Sequence, residues 1–296
     1  MKKTTVKLFA LLLGTAFLHL NAHAQDGEAT STEYAASTFK DSRIVNGHSV
    51  EMSVPGQLKF TISHRFGEVR TGWRELWGLD DSSIRFGFDY GLTDFLTVGF
   101  GRSSVQKTFD GSVKLRMLRQ SSGARNFPFT LVYIGSTAVN STEWANPERE
   151  NYFTSRMFYT NQLLLARKFG DGFSLQLMPT HVHRNLVATS DVSHDIFSIG
   201  GATRIQLTKA IALNVEYYQN LEELEGRKNS LGVGFDIETK GHFFQLHVTN
   251  SRGMIAKNFI TETTTDFFDG GIHIGFNISR TFVLRGRKHN RERRHK

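Results

Sequence analysis

From residue 57 onward the chain alternates. Leu58, Phe60 and Ile62 are separated by Lys59, Thr61 and Ser63, and Ile84, Phe86, Phe88 and Tyr90 by Arg85, Gly87 and Asp89. Leu96, Val98 and Phe100 alternate with Thr97, Gly99 and Gly101. The same period of two runs through Val113–Met117, Ile211–Tyr217, Leu231–Glu238, Phe244–Val248 and Ile272–Ile278. Side chains of a β-strand point alternately to its two faces, so each run reads as a strand with one large apolar face and one small or polar face. Stretches near 129–136, 155–169, 173–182 and 196–207 also read as strands, with less distinct facing. The total is about twelve, each long enough for the roughly 9–11 residues with which a tilted strand crosses a bilayer.

The connections alternate as well. Short ones are Gly91–Asp94, Gly170–Gly172, Thr208–Ala210 and Thr239–Gly241. Long ones lie near 67–82, 136–154, 181–195, 220–229 and 250–268. Short turns on one rim and long loops on the other characterise barrels of the bacterial outer membrane. The predicted fold class is therefore all-β: a closed antiparallel transmembrane β-barrel of about twelve strands. A secreted sandwich or lipocalin-like barrel is the soluble alternative, in which the aromatic face would turn to a core. The last strand carries Phe276, Ile278 and Phe282 but also Arg280, a charge within the apolar series.

The first 24 residues explain how such a chain reaches that membrane. Lys2, Lys3 and Lys7 precede the apolar run Leu8–Leu20, and Ala22-His23-Ala24 is a small-x-small site, the pattern of a secretory leader cleaved near Ala24. No later stretch approaches the roughly 18 continuous apolar residues of a membrane helix. Expected boundaries are a leader at 1–24, a periplasmic or lumen segment at 25–56, the barrel at 57–282 and a basic tail at 283–296. Within 25–56, residues 25–38 are polar, Arg43–Glu51 is a short strand or an ordered piece tucked into the lumen, and Pro55-Gly56 turns into the first strand.

Composition fits this picture: of 296 residues, 25 are Phe, 27 Gly and only 4 Pro. With no cysteine, disulfide scaffolds, thiolate zinc sites and a lipid on an N-terminal cysteine are excluded. The net charge of +8 is carried by the leader lysines and by the tail, where seven basic residues from Arg285 to Lys296 face only Glu292. Residues 25–284 are close to neutral, so nucleic acid is not an expected partner. Outer-membrane lipid is, and the tail is a candidate contact for an anionic envelope component.

Several runs resemble a family of bacterial outer-membrane β-barrel proteins of unassigned function. They are Arg43–Glu51, Ser63–Gly67, Gly78–Asp80, the long Ile84–Asp94 continuing through Gly99–Ser104, Phe109–Gly111, and Lys114-x-Arg116-x-Leu118-Arg119-Gln120. The resemblance covers roughly residues 40–282 and implies an outer-membrane barrel. It brings no catalytic residues with it.

The polar faces offer candidate lumen-lining residues: Lys59, Arg65, Arg85, Lys114, Arg116 and Arg204, against Asp89, Glu216, Asp236 and Glu238. Mutual pairing would simply fill the lumen; an aqueous path between them would slightly favour anions. Gly87, Gly99, Gly232, Gly234 and Gly275 leave room for water, a ligand or the 25–56 segment. The expected function is a narrow channel or ligand-conducting pore for small polar or anionic solutes. The alternative is a structural or binding barrel that uses its loops or tail. A third reading, a lipid hydrolase, would rest on His194 near Ser190 and Ser193, but no nucleophile motif surrounds them. His181, His183 and His194 are candidate metal ligands by spacing, with rim hydrogen bonding the simpler role; no metal, cofactor or catalytic residue is predicted. Trp73, Trp77 and Trp144 fall in loops or rims, and Glu222, Glu223 and Glu225 in a solvated loop.

Overall fold

The computed structural model describes residues 31–189, 192–239 and 241–285. The expected leader, Ser190, Lys240 and the tail beyond Arg285 lie outside the described residues.

Twelve strands close into one antiparallel barrel. They are β2 (Gln57–Glu68), β3 (Ser82–Thr93), β4 (Leu96–Ser103), β5 (Phe109–Leu118), β7 (Thr130–Val139), β8 (Met157–Phe169), β9 (Phe173–Arg184), β10 (Asp195–Gln206), β11 (Ile211–Asn220), β12 (Ser230–Glu238), β13 (Phe243–Thr249) and β14 (His273–Val283). β14 returns to β2, with Val283 opposite Gln57, so the wall begins and ends at one rim. Two short strands, β1 (Thr32–Tyr34) and β6 (Ser121–Gly123), pair outside the barrel.

The alternation places the faces. Phe86, Phe88, Phe100, Leu115, Phe244 and Leu246 point outward and stay exposed, Phe100 and Leu246 by more than half. Their neighbours Arg85, Lys114, Gln245 and His247 point inward and are buried. A soluble sandwich cannot leave this aromatic wall in water, because exposed apolar patches of that extent mark a membrane or a partner. Arg280 sits on the outer face with its guanidinium 5.2 Å from the Phe282 ring, a cation–π contact near the rim.

The connections follow the predicted alternation with two departures. Residues 119–129 form a long excursion on the terminal rim, and 104–108 a tight one on the far rim. Two strands are shorter than expected, β4 with 8 residues and β13 with 7. β4 ends in a 3₁₀ turn, and β13 ends where the chain leaves the wall for the interior. β3 runs on through Gly91–Thr93, so the expected turn Gly91–Asp94 narrows to Asp94 and Phe95. There the amide of Gly56 donates to the Gly91 carbonyl at 2.9 Å. Gly56 has φ +79° and a Cβ would stand 2.3 Å from the Arg285 carbonyl oxygen, so only glycine makes this corner.

The core lies inside the barrel. Val132, Ile134, Leu164, Ala166, Met178, Val182, Ile196, Ala202 and Tyr218 line one half of the lumen with apolar surface. That is why four strands show no clear facing in sequence: their inward faces mix apolar side chains with polar ones such as Gln162, Gln176 and Ser198. Two pieces of chain fill the space. Residues 38–53 enter from the terminal rim and bring Phe39, Ile44 and Val50. Residues 250–265 fold in from the other rim and carry a short buried helix, α1 (Ala256–Thr261), whose Phe259 ring lies 5.1 Å from that of Tyr218.

Candidate functional site

The site is the meeting of residues 38–53 with the polar half of the lumen wall. Within the segment a single bridge joins Arg43 to His48, with the Ile44 amide on the Gly47 carbonyl at 2.8 Å and the Ser49 amide on that of Ser42 at 3.0 Å; its other backbone groups need partners elsewhere. The inward polar positions of the strands supply them. On β11, Glu216 accepts from the amides of Val45 (3.1 Å), Asn46 (2.7 Å) and Gly47 (3.0 Å). On β9, Gln176 accepts from the Val50 amide at 3.0 Å and donates to the His48 carbonyl at 2.7 Å. Gln245 of β13 donates to the Ile44 carbonyl, and Asn277 of β14 to that of Val45 at 3.0 Å. A carboxylate receiving several backbone N–H groups makes the stronger, charge-assisted kind of hydrogen bond.

Charged side chains complete the seam. Lys59 of β2 pairs with Asp41, whose other oxygen accepts from Ser279 at 2.8 Å. Burial pushes the Asp41 carboxyl up, but Lys59, Ser279 and the Ser42 amide outweigh it and hold the group below the usual range. Arg65 is almost completely buried and donates to Asn46 Oδ1 at 2.8 Å. Lys114 of β5 donates to the Glu51 carbonyl, Ser42 donates to Asp89 at 3.3 Å, and Lys40 pairs with Glu238 at 2.8 Å. His48 is buried; desolvation first, and then Arg43, Lys114 and Arg85, hold its ring well below the ordinary histidine range.

Six of the ten sequence-selected residues thus contact the segment directly: Lys59, Arg65, Asp89, Lys114, Glu216 and Glu238. The others bind the wall. Arg85 makes a two-pronged pair with Asp110, at 2.9 and 2.5 Å. Arg204 donates to Gln206, and Arg116 to the Asp94 carbonyl at the rim. Asp236 accepts from Gln245 at 2.6 Å and so backs the Ile44 contact. The glycines make room: a Cβ on Gly232 would lie 3.0 Å from Val45 Cγ1, and one on Gly101 would lie 2.2 Å from the Arg85 guanidinium.

Sequence reasoning missed Asp41, Asp110, Gln176, Gln245 and Asn277. The last three stand at inward alternation positions, so pattern could have found them had uncharged amides been weighed. It also missed 250–265, where Met254-Ile255-Ala256 and Phe259-Ile260 are an apolar signal inside a long loop. There Lys257 donates to Glu262 and to Gln106, each at 2.6 Å, with its ammonium 3.9 Å from the Phe158 ring.

The histidines lie elsewhere. His181 and His183 face outward and both bond Asp195 Oδ1, at 2.7 and 2.8 Å. His194 bonds the Arg184 carbonyl, and the Ser193 hydroxyl the backbone of Asp195. Among the described residues no group of three or more acidic or histidine side chains is arranged to hold a metal. Trp73 and Trp77 are exposed in the 69–81 loop, and the Arg156 guanidinium stands 3.7 Å from the Trp144 ring.

A closed barrel with an aromatic outer wall and a packed interior defines a membrane-spanning β-barrel of the bacterial outer membrane. Residues 39–282 match the family described as membrane bound beta barrel domain (DUF5777), and the chain belongs to that family. No curated protein matches it. Among solved structures it is similar to the NanC porin, at 9% identity over 76% of this chain and 98% of that one, with a TM-score of 0.47. It is also similar to an outer membrane channel from Pseudomonas putida F1, at 12% identity, 78% and 97% coverage and a TM-score of 0.44. A third is outer membrane phospholipase A from Escherichia coli, at 12% identity, 77% and 91% coverage and a TM-score of 0.44.

Proposed function

We propose that the protein is a gated outer-membrane conduit for small polar or anionic solutes, held closed by its own residues 38–53. The observation that carries this reading is the chemistry of the seam. The segment is bound to the wall largely through hydrogen bonds and ion pairs, which water can replace if the segment leaves. What remains, beside the inward-folded residues 250–265, is a wall on which Lys59, Arg65, Lys114 and the Asp110-paired Arg85 stand together with Asp89 and Glu216.

Opening is nonetheless costly. It strips Phe39, Ile44 and Val50 from the apolar half, at about 1.5–3 kcal/mol each. If the polar contacts exchange evenly for water, that is roughly 5–9 kcal/mol, and fewer than about one molecule in a thousand is open unaided. A conduit of this kind needs a ligand or partner that prefers the open form.

Filling from both rims favours a second reading, a closed barrel that binds or anchors an envelope component through its loops or tail. Planar-bilayer recording separates the two. The mature chain should be nearly silent, while a variant lacking residues 38–53 should show discrete conductance with anion preference. Silence of the shortened variant, with its barrel folded by circular dichroism, would refute the conduit and leave the binding role.

A further inference from the structure

The rim where the chain enters and leaves the barrel carries a second site. Thr32 pairs with Gly123 and Tyr34 with Ser121, which clamps the strand leading toward the lumen segment to the connection between β5 and β7. Beside this clamp lies a pocket of ≈ 490 Å³ lined by Tyr34, Arg116, Met117, Arg119, Arg125 and Phe127, among others. Three arginines line it and no carboxylate does. Arg119 is fixed, with its guanidinium 5.0 Å from the Tyr34 ring and donating to the Ala35 carbonyl at 3.1 Å. Arg116 is tied to the Asp94 carbonyl. Arg125 is exposed and has no hydrogen-bond or ion-pair partner among the described residues.

The rest of the lining is apolar. β5 is irregular between Arg116 and Leu118, and both Met117 and Leu118 are left exposed. They continue the outward run of Val113 and Leu115 on the same strand. The pocket is therefore cationic on one side and continuous with the lipid-facing wall on the other. A soluble anion would use only the first side. An amphipathic anion uses both.

We propose that this pocket binds the phosphate headgroup of an anionic phospholipid in the leaflet that meets this rim, with its acyl chains along Met117 and the outward residues of β5. Because Tyr34 belongs to the clamp, an occupied pocket also holds the entry of the lumen segment in place.

The test is native mass spectrometry of the mature full chain in detergent, titrated with phosphatidylglycerol and with phosphatidylcholine of the same acyl chains. Phosphatidylglycerol should bind more tightly. Arg125→Gln should weaken it about fivefold, the scale of one arginine near an anionic lipid surface, and leave phosphatidylcholine unchanged. Lys209→Gln, on the same rim at the turn between β10 and β11, should change neither. The proposal is overturned if the two lipids bind the parent equally, if Arg125→Gln has no effect, or if Lys209→Gln matches it. Displacement of phosphatidylglycerol by excess inorganic phosphate would also overturn it, because a soluble anion would then suffice.

Discussion

Replacing Glu216 by glutamine should loosen the lumen segment without disturbing the barrel. The side chain keeps its volume, so the packing around Tyr218 is preserved. The carboxylate now receives Asn46 on one oxygen, and Val45 and Gly47 on the other, at 2.7, 3.1 and 3.0 Å. An amide retains one acceptor and turns an N–H₂ toward donors it cannot satisfy. The contact that survives loses its charge assistance. Charge-assisted hydrogen bonds contribute roughly 1.5–3 kcal/mol each. Losing one or two should therefore cost about 3 kcal/mol, which raises the population of the released segment by on the order of a hundredfold. Hydrogen exchange followed by mass spectrometry reads this directly. Amides of residues 38–53 should exchange about a hundredfold faster than in the parent, while β-strand amides on the far side of the barrel keep their protection. Unchanged protection of the segment would refute the assignment of Glu216 as its principal anchor. Equal loss across the whole barrel would show that the residue supports the wall instead.

Gly47→Ala should also lift the segment, because the new Cβ would stand 2.3 Å from the Tyr218 hydroxyl; overpacking of about 1–3 kcal/mol is expected, and Tyr218→Phe should recover part of it in a double-mutant cycle read by the same exchange assay. His48 makes docking pH-dependent. Its docked ring titrates well below the free value of 6.5, so the docked form is favoured fully above that pH and weakens as pH falls below it, by up to about tenfold per unit. Segment exchange, corrected for intrinsic rates, should follow this trend, and His48→Asn should flatten it. In the variant lacking residues 38–53, Arg85→Glu should move the reversal potential toward cation preference, and no movement would take Arg85 off the path.

The wall was legible because lipid enforces period two. Runs such as Ile84–Tyr90 and Leu231–Ile237 must offer an apolar side chain to the bilayer at every second position. Strands β7 to β10 were harder to face because Ile134, Leu164, Met178 and Ile196 point into the lumen and mix apolar side chains into the inward face. The lumen charges were visible one by one, from Lys59 to Glu238. Their partners were not, since the contact between Val45 and Glu216 spans 171 residues and leaves no local pattern. Residues 38–53 carry no period at all. Apart from the Arg43–His48 bridge, their conformation is set by the wall that receives them; the reading of Arg43–Glu51 as an ordered lumen piece and the glycines opposite, Gly232 and Gly234, were the signals that something fits there.

The placement of that segment can be tested with a single thiol pair. The chain has no cysteine, and a Cβ on Gly232 would lie 3.2 Å from Val45 Cβ, close to the roughly 3.5–4.5 Å of a disulfide. The double variant Val45→Cys, Gly232→Cys, refolded in lipid and mildly oxidised, should lose both free thiols and join the two tryptic peptides in one species. If both thiols stay reactive in a folded barrel, residues 38–53 do not occupy the lumen and the closed-conduit account is wrong.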